Sequence, residues 1–387
     1  MSEIKVNSIK GVGATSAAIT VNNTDGSCTA NLSNRQNRNL IINGAMQVAQ
    51  RGTTSTSSGI HTVDRFTCEF SGTDASPTQE HETVAAGTEP YTSGFRNSFK
   101  VVNGNQSGGA GASDFINIQT KLEAQDIANS GWNYTSSSSY VTLSFWIRST
   151  VAQTFKGFLR TRDGTEQRYA FDTGSLSANT WTKITKTIPG NSNITINNDT
   201  GEGLQINIGA FWGGTFTDSG VTENAWGAYS GSTRMKDNTS TWYTTNLATL
   251  QITGVQLEVG SVATDFEHRS FAQELALCQR YFFRVPYAGT GATPIYIASG
   301  VESSANARYA FILPQAMRAA PTVTVNDLSS DDEQSVTDAS TVQQVVAGSS
   351  NCDRMRLRLE GGSYSSGNAT SLITNSTSSF VAANAEL

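Results

Sequence analysis

The sequence predicts an all-β protein: an N-terminal arm, a central jelly-roll β-sandwich, a short connecting helix and a smaller C-terminal β-sandwich. Three observations predict it. Turn-forming and Thr-rich stretches recur along all 387 residues, alongside 6 Trp, 11 Tyr and 17 Phe, the mixture that short strands and polar loops need. Apolar residues alternate with period two in segment after segment. Only one segment carries the three- and four-residue spacing of an amphipathic helix. The charged fraction is 15% and the net charge −6, which separates the chain from disordered sequences, poor in aromatics and high in charge.

Residues 1–36 hold two short alternating stretches, Ile4 to Val6 and Ala18 to Val21, around a Gly-Val-Gly turn. Such an arm buries no core of its own, so it either pairs with a partner or stays a loose terminus. Residues 37–269 form the central sandwich. In Val141 to Ile147 the residues Val141, Leu143, Phe145 and Ile147 share one face, with Thr142, Ser144 and Trp146 on the other. In Leu204 to Ala210 the even-numbered residues point inward. Along Leu250 to Val259 the apolar phase slips from even to odd at Gly254, which predicts a β-bulge there. The helix spans 270–282. Ser270 and Gln273 form a capping-box pair, and Phe271, Leu275, Cys278 and Phe282 fall on one side, which predicts that this side is buried. Residues 283–387 return to strand patterns in a second sandwich, with Arg354, Arg356 and Arg358 alternating with Met355, Leu357 and Leu359.

Mild acidity, with a pI near 5.2, and the absence of a basic stretch argue against a nucleic-acid partner. The four cysteines stand far apart and suggest neither a zinc site nor a disulfide framework. No apolar run is long enough to span a membrane, and the first residues lack a secretion signal's apolar core, so neither membrane insertion nor export is expected.

The stretch Asn39 to Gly52 (NLIINGAMQVAQRG) resembles a segment of tail-fibre and other virion appendage proteins of marine tailed phages, of the cyanophage and pelagiphage type. So do His61 to Phe66, Leu250 to Ser270, Gln279 to Phe282 and Leu313 to Val323. The resemblance implies a homotrimeric virion protein with a carbohydrate-binding-like jelly roll, assembled in the host cytoplasm. It further implies that residues 1–36 join a tail adaptor, nozzle or baseplate protein and that the body binds a host-surface glycan, a polysaccharide or lipopolysaccharide. The alternatives are a purely structural virion protein, such as a head fibre, capsid decoration or nozzle-associated subunit, and a polysaccharide depolymerase. Catalysis is not expected. His61 beside Asp64 lacks a nucleophile motif, and Asp163, Glu166, Asp172, Glu223, Glu258 and Glu267 show no pairing that spacing can certify.

Sugar rings stack on exposed aromatics, and polar side chains fix their hydroxyls. Trp212, Trp226, Tyr229, Trp242 and Tyr243, set among Gly, Ser, Thr and Asn, are the candidates for that role, against the alternative that they close the end of the sandwich. Arg354, Arg356 and Arg358 are candidates for sulfate or carboxylate groups, against pairing with nearby acidic residues. No cofactor is expected beyond a possible structural calcium at Asp64 and Glu258, near the opening and closing strands of the jelly roll.

Overall fold

In the computed structural model of the chain, residues 37–286 are described without a break. Residues 6–10, 12, 19–21 and 28–30 precede them, and 293–295, 298–303, 306–326, 328–331, 336–338, 341–345, 352, 354–360, 371–374 and 380–387 follow. The first strands, β1 (Ser8–Ile9), β2 (Ile19–Val21) and β3 (Cys28–Ala30), make a small antiparallel sheet.

Twelve strands then build the central body: β4 (Thr54–Ser55), β5 (Phe66–Ser71), β6 (Thr78–Thr83), β7 (Asn97–Val102), β8 (Phe115–Glu123), β9 (Tyr140–Ser149), β10 (Thr154–Thr161), β11 (Gln167–Ser175), β12 (Thr182–Pro189), β13 (Glu202–Trp212), β14 (Trp226–Ala228) and β15 (Thr249–Val259). They form two six-stranded antiparallel sheets, ordered β14-β11-β10-β13-β8-β5 and β12-β9-β15-β7-β6-β4. One apolar core joins the sheets. Val141, Leu143, Phe145 and Ile147 of β9 enter it from one side, and Leu204, Ile206, Ile208 and Ala210 of β13 from the other. Each such side chain stabilises the fold by roughly 1.5–3 kcal/mol when fully buried. Short helices α1 (Glu89–Thr92), α2 (Ala124–Ala128) and α3 (Thr241–Thr244) interrupt the connections.

The phase slip in β15 is a bulge. Thr253 pairs with Trp146 and Gln256 with Ser144, so three steps on β15 face two on β9. Gly254 sits in the left-handed region at φ 63°, and a Cβ there would stand 2.6 Å from the Phe95 ring. The stretch 39–52 packs against this bulge. Gly44 accepts the Val255 N–H at 2.9 Å, and Asn39 Oδ1 accepts from Ile41 and Leu257, each at 3.0 Å. Asn43, fully buried, ties Val48 to Asp64 with two bonds from its amide N–H, both 2.8 Å. The polar residues of this motif therefore hold the loop in place, leaving little of it to a ligand.

Helix α4 (Phe271–Gln279) begins in the capping box of Ser270 and Gln273. Its buried face differs from the expected one. Cys278 is buried, but Phe271 is 56% exposed, and Glu274 points inward instead, accepting from the Asn43 backbone and from Arg269. A loop donor and a guanidinium make that inward carboxylate tolerable.

The C-terminal strands are β16 (Phe282–Pro286), β17 (Thr293–Ile295), β18 (Ala298–Ser303), β19 (Asn306–Ile312), β20 (Thr322–Asn326), β21 (Leu328–Asp331), β22 (Val336–Asp338), β23 (Thr341–Val345), β24 (Arg354–Glu360), β25 (Ser371–Thr374) and β26 (Phe380–Asn384). They pair as β16-β26-β20, β17-β25-β21-β22 and β18-β19-β24-β23 around a second core that includes Tyr309, Phe311, Leu357 and Val381. The join to the central sandwich is ionic and aromatic. Arg65, 3% exposed, lies 3.4 Å from the Tyr281 ring centroid and pairs with Glu386, which also takes Arg51 at 3.1 Å. Arg280 grips Glu123 through two bonds of 2.7 and 2.8 Å.

Candidate functional site

The outward face of the β14-β11-β10-β13-β8-β5 sheet carries buried polar side chains, among them Asn117, Gln119, Gln205 and Asn207. Register sets its layout. One row across the sheet reads Gly227, Arg168, Arg160, Gln205, Lys121; the next reads Ala170, Phe158, Asn207, Gln119, Thr67; the third reads Asp172, Lys156, Gly209, Asn117, Glu69. Because side chains alternate along a strand, the same strands that send Ile116, Ile118, Ile206 and Ile208 into the core present these residues outward. The segment after β13 folds over one end of the face, where Phe158, Trp212 and Met235 cluster with Phe115, Phe216 and Tyr229.

The floor is a row of buried amides. Asn117 and Gln119 both donate to Asn207 Oδ1, at 2.9 and 2.8 Å, which leaves Asn117 Oδ1 and Gln119 Oε1 without a protein donor. Buried acceptors are rarely left so, since each unmade bond costs about 1–3 kcal/mol. The rim is half-buried and charged. Arg160 bonds Glu166 at 2.6 and 2.9 Å and lies 3.7 Å from the centre of the Tyr229 ring. Lys156 reaches Glu223 at 2.7 Å and Asp172 at 3.4 Å. Arg162 pairs with Glu166 and stands 3.5 Å from Glu202, so the unbonded Nε and Oε1 of that second pair still face each other. Burial pushes the Glu69 carboxyl above its usual range, with Lys121 and Arg234 opposing it. Burial alone pulls the Arg168 guanidinium down, and its Nε and Nη1 have no hydrogen-bond partner. The floor thus holds unmet acceptors, which an outside hydroxyl or N–H reaches only when the buried amides turn outward, and the rim holds donors for oxygens.

The aromatics expected to stack on a ligand are mostly elsewhere. Trp242 and Tyr243 are wholly buried: the Trp242 indole donates to Thr249 O at 3.0 Å, and Tyr243 stacks on Phe211 at 4.4 Å and donates to Asp114 at 3.0 Å. Helix α3 needs these rings to close the end of the core. Trp212 is also buried, stacked on Phe115 at 4.5 Å beneath Arg234. These three rings therefore present no open stacking surface, which corrects the expectation. Trp226 and Tyr229 remain half-exposed, Trp226 donating to Pro189 O at 2.6 Å. The side chains of Arg354, Arg356 and Arg358 lie outside the described residues; their strand β24 pairs with β19, Arg358 opposite Arg308.

Asp64 and Glu258 do not form the expected calcium pair. Asp64 accepts from Gln50 and Arg51, and burial raises its pKa despite the Arg51 charge. Glu258 accepts from Thr264 N and Oγ1 and from Gln256, at 2.6–2.9 Å. N–H and O–H donors fill oxygens that a calcium ion would need, and the two carboxylates share no partner. Among the described residues no group of three or more His, Cys, Asp or Glu is placed to hold a metal. His61 contacts Ser58 O at 3.2 Å and makes no bond to Asp64.

Two cavities lie away from the polar face. One, of about 800 Å³, sits between residues 265–269 and α4; the other, of about 450 Å³, opens over Trp146, Phe95 and Phe266. Most polar groups of the larger are engaged, Arg280 by Glu123 and Arg269 by Glu267 and Glu274. Unused hydrogen-bonding capacity concentrates on the sheet face. Sequence reasoning missed this face. Its one signal is the set of Asn and Gln residues at outward positions of β8 and β13, where Thr and Lys are the usual occupants of a solvated strand.

No family model and no curated protein matches the chain. Among solved structures it is similar to the enzymatically active domain of bacteriophage CBA120 tailspike protein 4, at 13% identity and TM-score 0.30, over 57% of this chain and 21% of that one. It is thus matched to about a fifth of the tailspike domain's length. It is also similar to the N-terminal cellulose-binding domain of Cellulomonas fimi β-1,4-glucanase C, at 10% identity and TM-score 0.26, over 56% of this chain and 99% of that one. A third likeness is to the family 11 carbohydrate-binding module from Clostridium thermocellum, at 10% identity and TM-score 0.24, over 56% and 98% of the two chains.

Proposed function

We propose that the outward face of the β14-β11-β10-β13-β8-β5 sheet binds a glycan, and that the chain is a homotrimeric tail-fibre subunit that carries this face to a host surface. The observation that carries the binding reading is the amide floor, where Asn117 Oδ1 and Gln119 Oε1 are left without donors beneath a half-buried charged rim. Glycans present hydroxyls that donate and accept at close spacing, which is the complement such a floor lacks. Tyr229, half-exposed at the rim, supplies an aromatic edge. The virion setting and the trimer draw their support from the resemblance of residues 39–52, 61–66, 250–270, 279–282 and 313–323 to tail-fibre sequences, and attachment through residues 1–36 from the position of that arm ahead of them. Binding without cleavage fits the rim carboxylates Glu166, Asp172 and Glu223, each held by a basic side chain.

The test is a glycan array read with the full chain, followed by Gln205→Ala and Tyr229→Phe, the second removing the hydroxyl and keeping the ring that packs on Phe158. Each should weaken binding several-fold and leave the melting temperature nearly unchanged. An array without signal, repeated on whole host envelope, refutes the reading and leaves the purely structural virion protein. Shortening of a bound polysaccharide during incubation refutes the non-catalytic part. A stable monomer at micromolar concentration refutes the trimer.

A further inference from the structure

Among the described residues two cations of this face lack a carboxylate within ion-pair distance: Arg234, which donates to Gly231 O at 3.0 Å and lies over the Trp212 and Phe216 rings, and Arg168, whose side chain makes no hydrogen bond at all. Lys121, Lys156, Arg160 and Arg162 each have a carboxylate partner. Arg168 has no ion pair among the described residues, and its Nε and Nη1 bond to nothing. It also stands on β11 directly opposite Arg160 of β10, and like charges so placed are unfavourable. Glu166 relieves Arg160 and not Arg168. On its other side Arg168 faces Gly227, where a Cβ would come within 3.3 Å of Nη2. Glycine there leaves room for the guanidinium and whatever it meets.

We infer that the glycan is anionic, bearing a carboxylate or a sulfate ester that Arg168 receives; this rests on the glycan reading above. The guanidinium is half-buried, its Nε and Nη1 cut off from water and without an ion-pair partner among the described residues, so an oxyanion from outside restores both its charge balance and its hydrogen bonds. No bond fixes it in this rotamer, so it is free to turn toward the ligand. The protein's net charge of −6 opposes general attraction to polyanions, so binding of one reports a local site.

The experiment is affinity electrophoresis of the full chain against alginate and polygalacturonate, their carboxyl-reduced forms, a sulfated carrageenan, its desulfated form, and neutral laminarin. The expected result is retardation by at least one acidic polymer and not by its neutralised counterpart; the carboxylate and sulfate arms distinguish the two groups. Arg168→Gln should weaken that binding about tenfold or more, the size of effect charged hydrogen bonds produce, and Arg168→Lys should weaken it less. Arg168→Gln should melt no lower than wild type, because it removes a half-buried charge without breaking a pair. A clear fall in melting temperature marks Arg168 as structural and overturns the inference. Equal binding to acidic and neutralised polymers, unchanged by Arg168→Gln, overturns it and leaves the glycan reading standing. Binding to none of these polymers overturns it too, and the glycan array then decides the reading beneath it.

Discussion

Replacing Trp242 by Ala tests whether the aromatic-rich segment is core or binding surface. The indole is wholly buried and its Nε1 donates to Thr249 O at 3.0 Å. That carbonyl also accepts from Thr150 at 3.1 Å, so the substitution does not orphan it. The backbone N–H of residue 242 keeps its bond to Gln153, 2.9 Å. The cost is therefore the lost burial and the cavity, about 3–5 kcal/mol for a buried Trp, without the added penalty of an unpaired acceptor. On a domain of this size each kcal/mol lowers the melting temperature by roughly 2–4 °C, so a fall of roughly 6–20 °C is expected. Urea unfolding followed by far-UV circular dichroism, with the m-value unchanged, measures it. Trp226→Ala serves as the comparison: its half-exposed ring should cost about 1–2 kcal/mol, mainly its bond to Pro189 O. If Trp242→Ala unfolds within 1 kcal/mol of wild type, roughly the scatter of a surface change, the closed end of the sandwich is misplaced and the stacking role returns.

Gly254→Ala should destabilise by about 2–4 kcal/mol, from left-handed backbone strain and the contact with the Phe95 ring; Phe95→Leu added to it should recover part of the loss in the same melt, and no recovery would place the whole cost in the backbone. Glu123→Gln should weaken the hold of the sandwich on Arg280. Burial alone would raise the Glu123 carboxyl, but hydrogen bonds from Arg280 and Tyr281 outweigh it and bring it below its ordinary 4.5. A depressed carboxyl stabilises above its unfolded value and loses that contribution as pH falls through the folded one. The gap between wild type and Glu123→Gln should therefore be full at pH 7 and close below about pH 4.5; a gap independent of pH would refute the pairing. Glu69 runs the opposite way. Its raised pKa makes the charged form a burden that grows as pH climbs past the unfolded value of 4.5 and levels off above the folded one, so Glu69→Gln should gain stability relative to wild type as pH rises from 4.5, measured by melting at each pH.

The strands that carry the core were legible because period-two alternation is a property of the chain alone. Val141 to Ile147 and Leu204 to Ala210 needed no partner to declare their faces. The bulge was legible for the same reason, since a phase slip at a glycine has few other meanings. Placement of the loop aromatics was not. Whether Trp242 and Tyr243 are exposed depends on what covers them: Gln153 and Thr249 bond Trp242 and Phe211 packs on Tyr243, none of them adjacent in sequence. Helix α4 shows the same limit in reverse: periodicity assigned Phe271 to the buried side, but the loop at Asn43 supplies a donor that makes Glu274 the better inward residue. The polar face stayed hidden because Asn117, Gln119 and Asn207 occupy positions that alternation marks only as outward. A strand pattern does not distinguish an outward face bathed in water from one roofed by the segment after β13.

The pairing of Arg65 with Glu386 spans 321 residues. During synthesis the strand that follows Arg65 emerges long before its counter-charge exists, and so does the whole first sheet. A growing chain that closes the sandwich early must bury a guanidinium over the Tyr281 ring with nothing to neutralise it, or leave that corner open to water. The corner is sealed only when residues 385–387 arrive to bring Glu386 to Arg51 and Arg65 and the Leu387 carbonyl to Lys121. A chain interrupted before residue 386 therefore carries an unfinished sandwich, open at the corner that Glu386 shuts.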